Sequence, residues 1–247
     1  MKRLVTLSRT LLTAAALTVV ASSAHAAGVN LSWNDCASFG QQQRNFACAS
    51  NSGANTMVGS AITGVAMPQL NGMAGVLDMQ TNEAALSPWW TIGGAPNCRL
   101  TSTVSADFNF LALANCVDPW AGVAAGGSSY IGPFGPANRA RFRTVCAIPG
   151  NTAITGTDEY YFFKITFTNA RSTGNGSCAG CADGACILLN SLQVTQPAGV
   201  GDYVITNALV QSYVLWQAGG SAIGGLGCPL QVPTRNQTWG SVKSLYR

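Results

Sequence analysis

Apolar residues in this chain recur at every second position, again and again, between short clusters of Gly, Pro and Asn. From Asn138 to Ile148 the set Ala140, Phe142, Thr144, Cys146 and Ile148 alternates with Arg139, Arg141 and Arg143. Period two is the signature of a half-buried strand, because successive side chains of a strand leave opposite faces. The same pattern puts Val104, Ala106, Phe108 and Phe110 on one face, and Tyr161, Phe163, Ile165 and Phe167 on another. A further strand over Cys186 to Thr195 is expected to bury Leu188, Leu192 and Val194. Other strand candidates are Val29 to Trp33, Met57 to Val65, Met73 to Met79 and Tyr203 to Trp216. Turn signals such as Pro149-Gly150-Asn151 separate them, and no stretch sustains a capped helical period. Strands without intervening helices favour an all-β fold, an antiparallel β-sandwich, over a parallel sheet.

The first 26 residues stand apart. Lys2, Arg3 and Arg9 precede an apolar run from Leu11 to Ala21, which ends at Ala24-His25-Ala26. A basic start, a short apolar stretch and a small-x-small site describe a secretory signal peptide. The run is too short for a bilayer core, which needs about 20 apolar residues, and no transmembrane segment is expected elsewhere. No internal repeat or clean linker follows, so residues 27–247 read as one β-sandwich-like domain in a secreted or periplasmic protein at the cell exterior.

Cleavage after Ala26 changes the chemistry on offer. It removes the basic residues of the leader and leaves ten Lys and Arg against nine Asp and Glu. Nucleic acid is therefore not an expected partner, since binding to phosphates needs clustered cations. Cleavage also removes His25, the chain's only histidine. Ser-His-Asp and Cys-His catalytic arrangements, and histidine-ligated metals, go with it.

All nine cysteines, Cys36, Cys48, Cys98, Cys116, Cys146, Cys178, Cys181, Cys186 and Cys228, lie beyond the leader. In an oxidising compartment the default is disulfides. Nine cysteines admit about 945 four-bridge schemes, so spacing alone does not choose among them. Locality favours Cys36 with Cys48 and Cys98 with Cys116, each short loop stabilising by roughly 3 kcal/mol. Cys146 is the expected unpaired thiol, because it alternates with core residues. The cluster Cys178-Ala-Gly-Cys181-Ala-Asp-Gly-Ala-Cys186 offers two sharper alternatives, a thiolate metal site with Asp183 or a Cys-x-x-Cys redox pair. Both lack their usual context, a second ligand pair or a βαβ unit, and structural disulfides are the reading adopted. Neither a metal nor a cofactor is expected.

The opening Gly28-Val29-Asn30-Leu31-Ser32-Trp33-Asn34-Asp35-Cys36, the Cys178 to Cys181 segment and the terminal run Thr238 to Arg247 together resemble uncharacterised secreted proteins of environmental bacteria. The resemblance spans most of the chain after the leader. It implies export and brings no activity or site residue with it. The terminal run reads as a final strand or short helix docking Trp239 and Tyr246, with a sorting or anchoring tail as the alternative.

Without histidine, the catalytic options narrow to carboxylates, Lys, Tyr and Cys; glycan hydrolysis needs only two carboxylates, and Asp35, Asp78, Glu83, Asp107, Asp118, Asp158, Glu159, Asp183 and Asp202 are too scattered to nominate a pair. No catalytic residue is assigned. The expectation is a non-catalytic protein with a binding or structural role, its partner a polysaccharide or another extracellular protein. A carboxylate-dependent glycan hydrolase is the alternative. Two sets of ligand-binding candidates follow. Trp89 and Trp90 after Pro88, and Trp120 after Pro119, offer rings for stacking on sugars, against the competing reading that they are core. Arg139, Arg141 and Arg143, about 7 Å apart along one strand face, offer a grip on a polyanion, against the competing reading of a solvated or paired face.

Overall fold

The structure is a computed structural model that describes residues 27–217 and Cys228. The leader, and the terminal run with Trp239 and Tyr246, lie outside the described residues.

The strands are β1 (Gly28–Trp33), β2 (Gln43–Arg44), β3 (Ala54–Ile62), β4 (Met67–Thr81), β5 (Val104–Asp107), β6 (Ala125–Ile131), β7 (Arg139–Ile154), β8 (Tyr160–Thr168), β9 (Ala185–Thr195), β10 (Tyr203–Ile205) and β11 (Tyr213–Trp216). Among the described residues, helix is confined to 3-10 turns at Ala37–Phe39, Pro88–Trp90 and Thr101–Thr103. A four-stranded sheet runs β1-β3-β8-β5. A seven-stranded sheet runs β2-β11-β9-β4-β7-β6, with β10 also on β9. Every pairing between these strands is antiparallel except that of β11 with β2, so the larger sheet is mixed.

The two sheets meet over the alternating apolar rows. On β8, Phe163, Ile165 and Phe167 are fully buried, and on β7 Ala140, Phe142, Thr144 and Cys146 are buried as the alternation requires. The inner approach is close at Phe163. A Cβ on Gly59, its cross-strand partner, would collide with the ring, and one on Gly75 of the opposite sheet would lie 3.3 Å from it. Gly59 must be glycine for the ring to fit between the layers, and a side chain at Gly75 would crowd the ring and meet the Thr144 methyl at 2.9 Å. Near one end of the sandwich Trp216 is the hub of an aromatic cluster. Its ring lies 4.3 Å from Phe46, 5.4 Å from Trp90, 6.0 Å from Trp33 and 6.1 Å from Trp89, and its indole N–H donates to the Cys181 carbonyl at 2.8 Å.

Several local expectations need correction. The stretch from Tyr203 to Trp216 is two strands, because residues between them turn aside to bond the edge of β1 through Asn207 and Gln211. The strand at Val104 stops at Asp107, and Phe108 and Phe110 are buried from the loop beyond it. Leu188 is buried as expected, but it shares a face with Asp78 rather than with Leu192. The register of β9 against β4 slips between Val76 and Leu77, and this bulge at Asn190 reverses the alternation, so that Ile187 and Leu189 fill the core instead.

Four disulfides brace the sandwich: Cys36–Cys116, Cys48–Cys181, Cys98–Cys178 and Cys186–Cys228. Cys146 is the free, buried thiol, and burial pushes its pKa up to about 12. The local pairs Cys36 with Cys48 and Cys98 with Cys116 are overturned. Short loops cost least entropy to close, but sheet topology decides which cysteines meet, and it brings together partners 42 to 133 residues apart. Cys178, Cys181 and Cys186 each leave for a different distant partner, so none pairs within its own motif.

The segment carrying Cys116 folds over the smaller sheet. Phe110 stacks on Tyr161 at 4.7 Å, Trp120 meets Phe162 edge-on at 6.0 Å, and Asp35 accepts hydrogen bonds from the Tyr161 hydroxyl at 2.7 Å and the Asn115 amide at 2.6 Å. On the outer face of the larger sheet Arg143, Val145 and Val204 are exposed.

Candidate binding groove on the larger sheet

Strand registers place alternate residues of neighbouring strands in rows across the outer face of the larger sheet. One row reads Ser129, Arg143, Val76, Ser191, from β6 through β7 and β4 to β9. The next, two residues further along, reads Gly127, Val145, Ala74, Gln193, Val204, and ends on β10. Neighbouring strands lie about 4.8 Å apart and same-face residues about 7 Å apart along a strand, so these rows floor a patch some 19 Å across. Their small side chains leave an open groove of about 700 Å³. A smaller cavity of about 250 Å³ lies beside β6, lined by Ile92, Thr101, Val104, Ser128, Ser129 and Tyr130.

Each part of the groove has a local cause. Gly126 lets β6 approach β7, because a Cβ there would strike the Val145 carbonyl oxygen. Gly127, its neighbour in the floor, faces open space with nothing within 4 Å. The β9 bulge brings Ser191 into the first row and aims the Asn190 amide at Asp78. Asp78 in turn grips Arg141 through both carboxylate oxygens, at 2.6 and 2.8 Å, and the guanidinium packs 4.0 Å from the Phe134 ring centre. This ion pair occupies the row next to Arg143.

The arginine ladder faces outward as the alternation predicts, but its members differ. Arg139 donates to Gln80 at 3.0 Å and Arg141 is held by Asp78. Arg143 is exposed, lines the groove, and has no hydrogen-bond or ion-pair partner among the described residues. The lining combines hydroxyls, one carboxamide, backbone and valine methyls with that single guanidinium, and it holds no carboxylate and no thiol. At the far end Gln193 donates to the exposed carboxylate of Asp202 at 2.7 Å.

Trp89, Trp90 and Trp120 are not surface platforms. All three are fully buried, Trp89 and Trp90 in the 3-10 turn beneath the aromatic hub. The turn after Pro88 points both rings inward to pack on Trp216 and Phe167, so neither face is free to stack on a sugar. A residue that sequence reasoning passed over explains part of this arrangement. Arg99 is also fully buried, its guanidinium 3.6 Å above Trp89 and donating to the carbonyl of Thr168. No carboxylate among the described residues pairs with it, and burial lowers its pKa to about 10. Its position ten residues after Trp89 carried no signal of this.

The carboxylates are dispersed among structural roles. Asp107 pairs with Lys164, Asp118 accepts from the Trp120 backbone, Asp158 from Thr155, and Glu159 from Asn30 and Ser60. The chain matches no family model and no curated protein.

Proposed function

We propose that this is an exported protein that acts by binding a polysaccharide at the cell exterior, through the groove on its larger sheet. The observation that carries the reading is the composition of that groove: an open surface of hydroxyl, amide and short apolar groups, about 700 Å³ in volume, with one unpaired cation. Sugars present hydroxyls and C–H faces together, and such a lining answers both without a metal or a nucleophile. Four disulfides fit an oxidising compartment. No helix among the described residues is long and apolar enough to cross a membrane. The signal-like first 26 residues supply the route out. The hydrolase alternative draws less support, because the groove lining offers no acid or base and most carboxylates are engaged elsewhere.

The test is depletion of the leader-free protein from solution by a panel of insoluble polysaccharides and cell-wall preparations. Gly127→Val is the informative variant. A Cβ there meets nothing within 4 Å, and valine suits a strand. Depletion that this variant abolishes, while Trp fluorescence and unfolding are unchanged, supports the groove. Absence of depletion from every matrix refutes the reading.

A further inference from the structure

We infer that the groove selects an acidic glycan, with an anionic group of the sugar chain docked on Arg143. The inference rests on the binding reading above and names its ligand class. The outward ladder on β7 holds three guanidinium groups, and the fold has provided for two of them. Gln80 faces Arg139, and Asp78 with the Phe134 ring satisfies Arg141. Arg143, the member inside the groove, faces Ser129 on one side and Val76 on the other, and neither carries a charge. Counting its surroundings, Arg139, Arg141 and Arg143 are set against Asp78 and Asp202, which leaves the groove region one positive charge in excess. Of these cations Arg143 is the one that lines the groove, and it has no hydrogen-bond or ion-pair partner among the described residues. Gln193, which holds Asp202, is one row on and two strands away, about 12 Å distant by strand geometry, and Asp202 lies beyond it.

A guanidinium presents a planar fork of donors that matches a carboxylate in two parallel hydrogen bonds, and it also accepts sulfate oxygens. Flanking it, Ser129 and Ser191 offer hydroxyls about 5 to 10 Å away across the strands, while Val145 and Val204, both about half exposed, offer apolar surface in the next row. Anion, hydroxyls and C–H faces in that order describe an acidic sugar within a chain, and an isolated small anion would use only the first. Carboxylated and sulfated polysaccharides share this chemistry.

The experiment measures the affinity of the leader-free, disulfide-intact protein for polygalacturonate, alginate, dextran sulfate and neutral dextran. It compares the unaltered chain with Arg143→Gln, Gly127→Val and Arg171→Gln. Arg171 is an exposed cation outside the groove, so its loss changes net charge equally. The expected result is binding to the acidic polymers and not to dextran, weakened about tenfold to a hundredfold by Arg143→Gln and abolished by Gly127→Val, with Arg171→Gln near the unaltered value. The polygalacturonate and dextran sulfate arms then tell carboxylate from sulfate. Equal weakening by Arg143→Gln and Arg171→Gln means diffuse attraction and overturns the inference. Binding of dextran as well, lost in Gly127→Val but untouched by Arg143→Gln, overturns the acidic selection and leaves the groove standing. No binding to any polysaccharide overturns both.

Discussion

Replacing Cys36 and Cys116 together by alanine tests the long-range framework most directly. A bridge stabilises chiefly by shortening the unfolded chain, and the bare loop here spans 80 residues. Taken alone, that loop corresponds to about 4.5 kcal/mol. The other bridges shorten the path. From Cys36 the unfolded chain runs to Cys48, crosses to Cys181, continues to Cys178, crosses to Cys98 and reaches Cys116, a tether of about 35 residues. The entropy then corresponds to roughly 4 kcal/mol, and loss of side-chain packing at fully buried Cys36 adds up to about 1. The expected loss is therefore about 4 to 5 kcal/mol, read from equilibrium urea unfolding without reductant. A non-reduced digest supplies the independent check, joining the Cys36 peptide to that of Cys116. A loss under about 1.5 kcal/mol, or a peptide joining Cys36 to Cys48, would refute the reasoning.

Trp216→Ala removes the hub of the aromatic cluster and is expected to cost about 3 to 5 kcal/mol in the same unfolding assay, whereas Trp216→Phe keeps most of the ring and loses the bond to Cys181, costing about 1 to 2. Equal costs for the two variants would argue against packing as the dominant contribution. Cys146 should resist iodoacetamide in the native state at pH 8 and react as a single thiol once the chain is unfolded. Its pKa is raised by burial from 9.0 to about 12, so the folded form keeps a proton that the unfolded form releases. Its contribution is full below about pH 9 and is lost as pH rises toward 12, on the order of 4 kcal/mol in all. Cys146→Ala should flatten that decline relative to the unaltered chain, and parallel curves would contradict the assignment.

Strand positions were legible because the alternation is strong where it matters, as in Ala140, Phe142 and Thr144 against Arg139, Arg141 and Arg143. The free thiol followed from the same alternation. What stayed hidden depends on long-range geometry. Cys48 meets Cys181 across 133 residues, and no local rule favours that pair over Cys36. The bulge at Asn190 moves Leu188 off the core side, an inversion that one extra residue produces and composition does not announce. Trp89 and Trp90 beside a proline resemble a loop platform, but the turn after Pro88 sends them inward. The groove is harder still, since its floor takes one or two ordinary residues from each of five strands. Ser129, Val76 and Ser191 acquire meaning only once the register sets them beside Arg143.

If the chain is exported as proposed, the short segment from Cys178 to Cys186, bonded to three remote parts of the chain, constrains the order in which it oxidises. A chain threaded outward from its N-terminus presents Cys36, Cys48, Cys98 and Cys116 before Cys178 emerges. Of their native bonds only Cys36–Cys116 can then form, while Cys48 and Cys98 must wait. An oxidant acting on whichever thiols appear next to each other joins Cys36 to Cys48 and Cys98 to Cys116, which are wrong pairs. Maturation on that route depends on thiol exchange that breaks early bonds after the clasp arrives, and a periplasm equipped to oxidise but not to reshuffle would accumulate a misbonded chain.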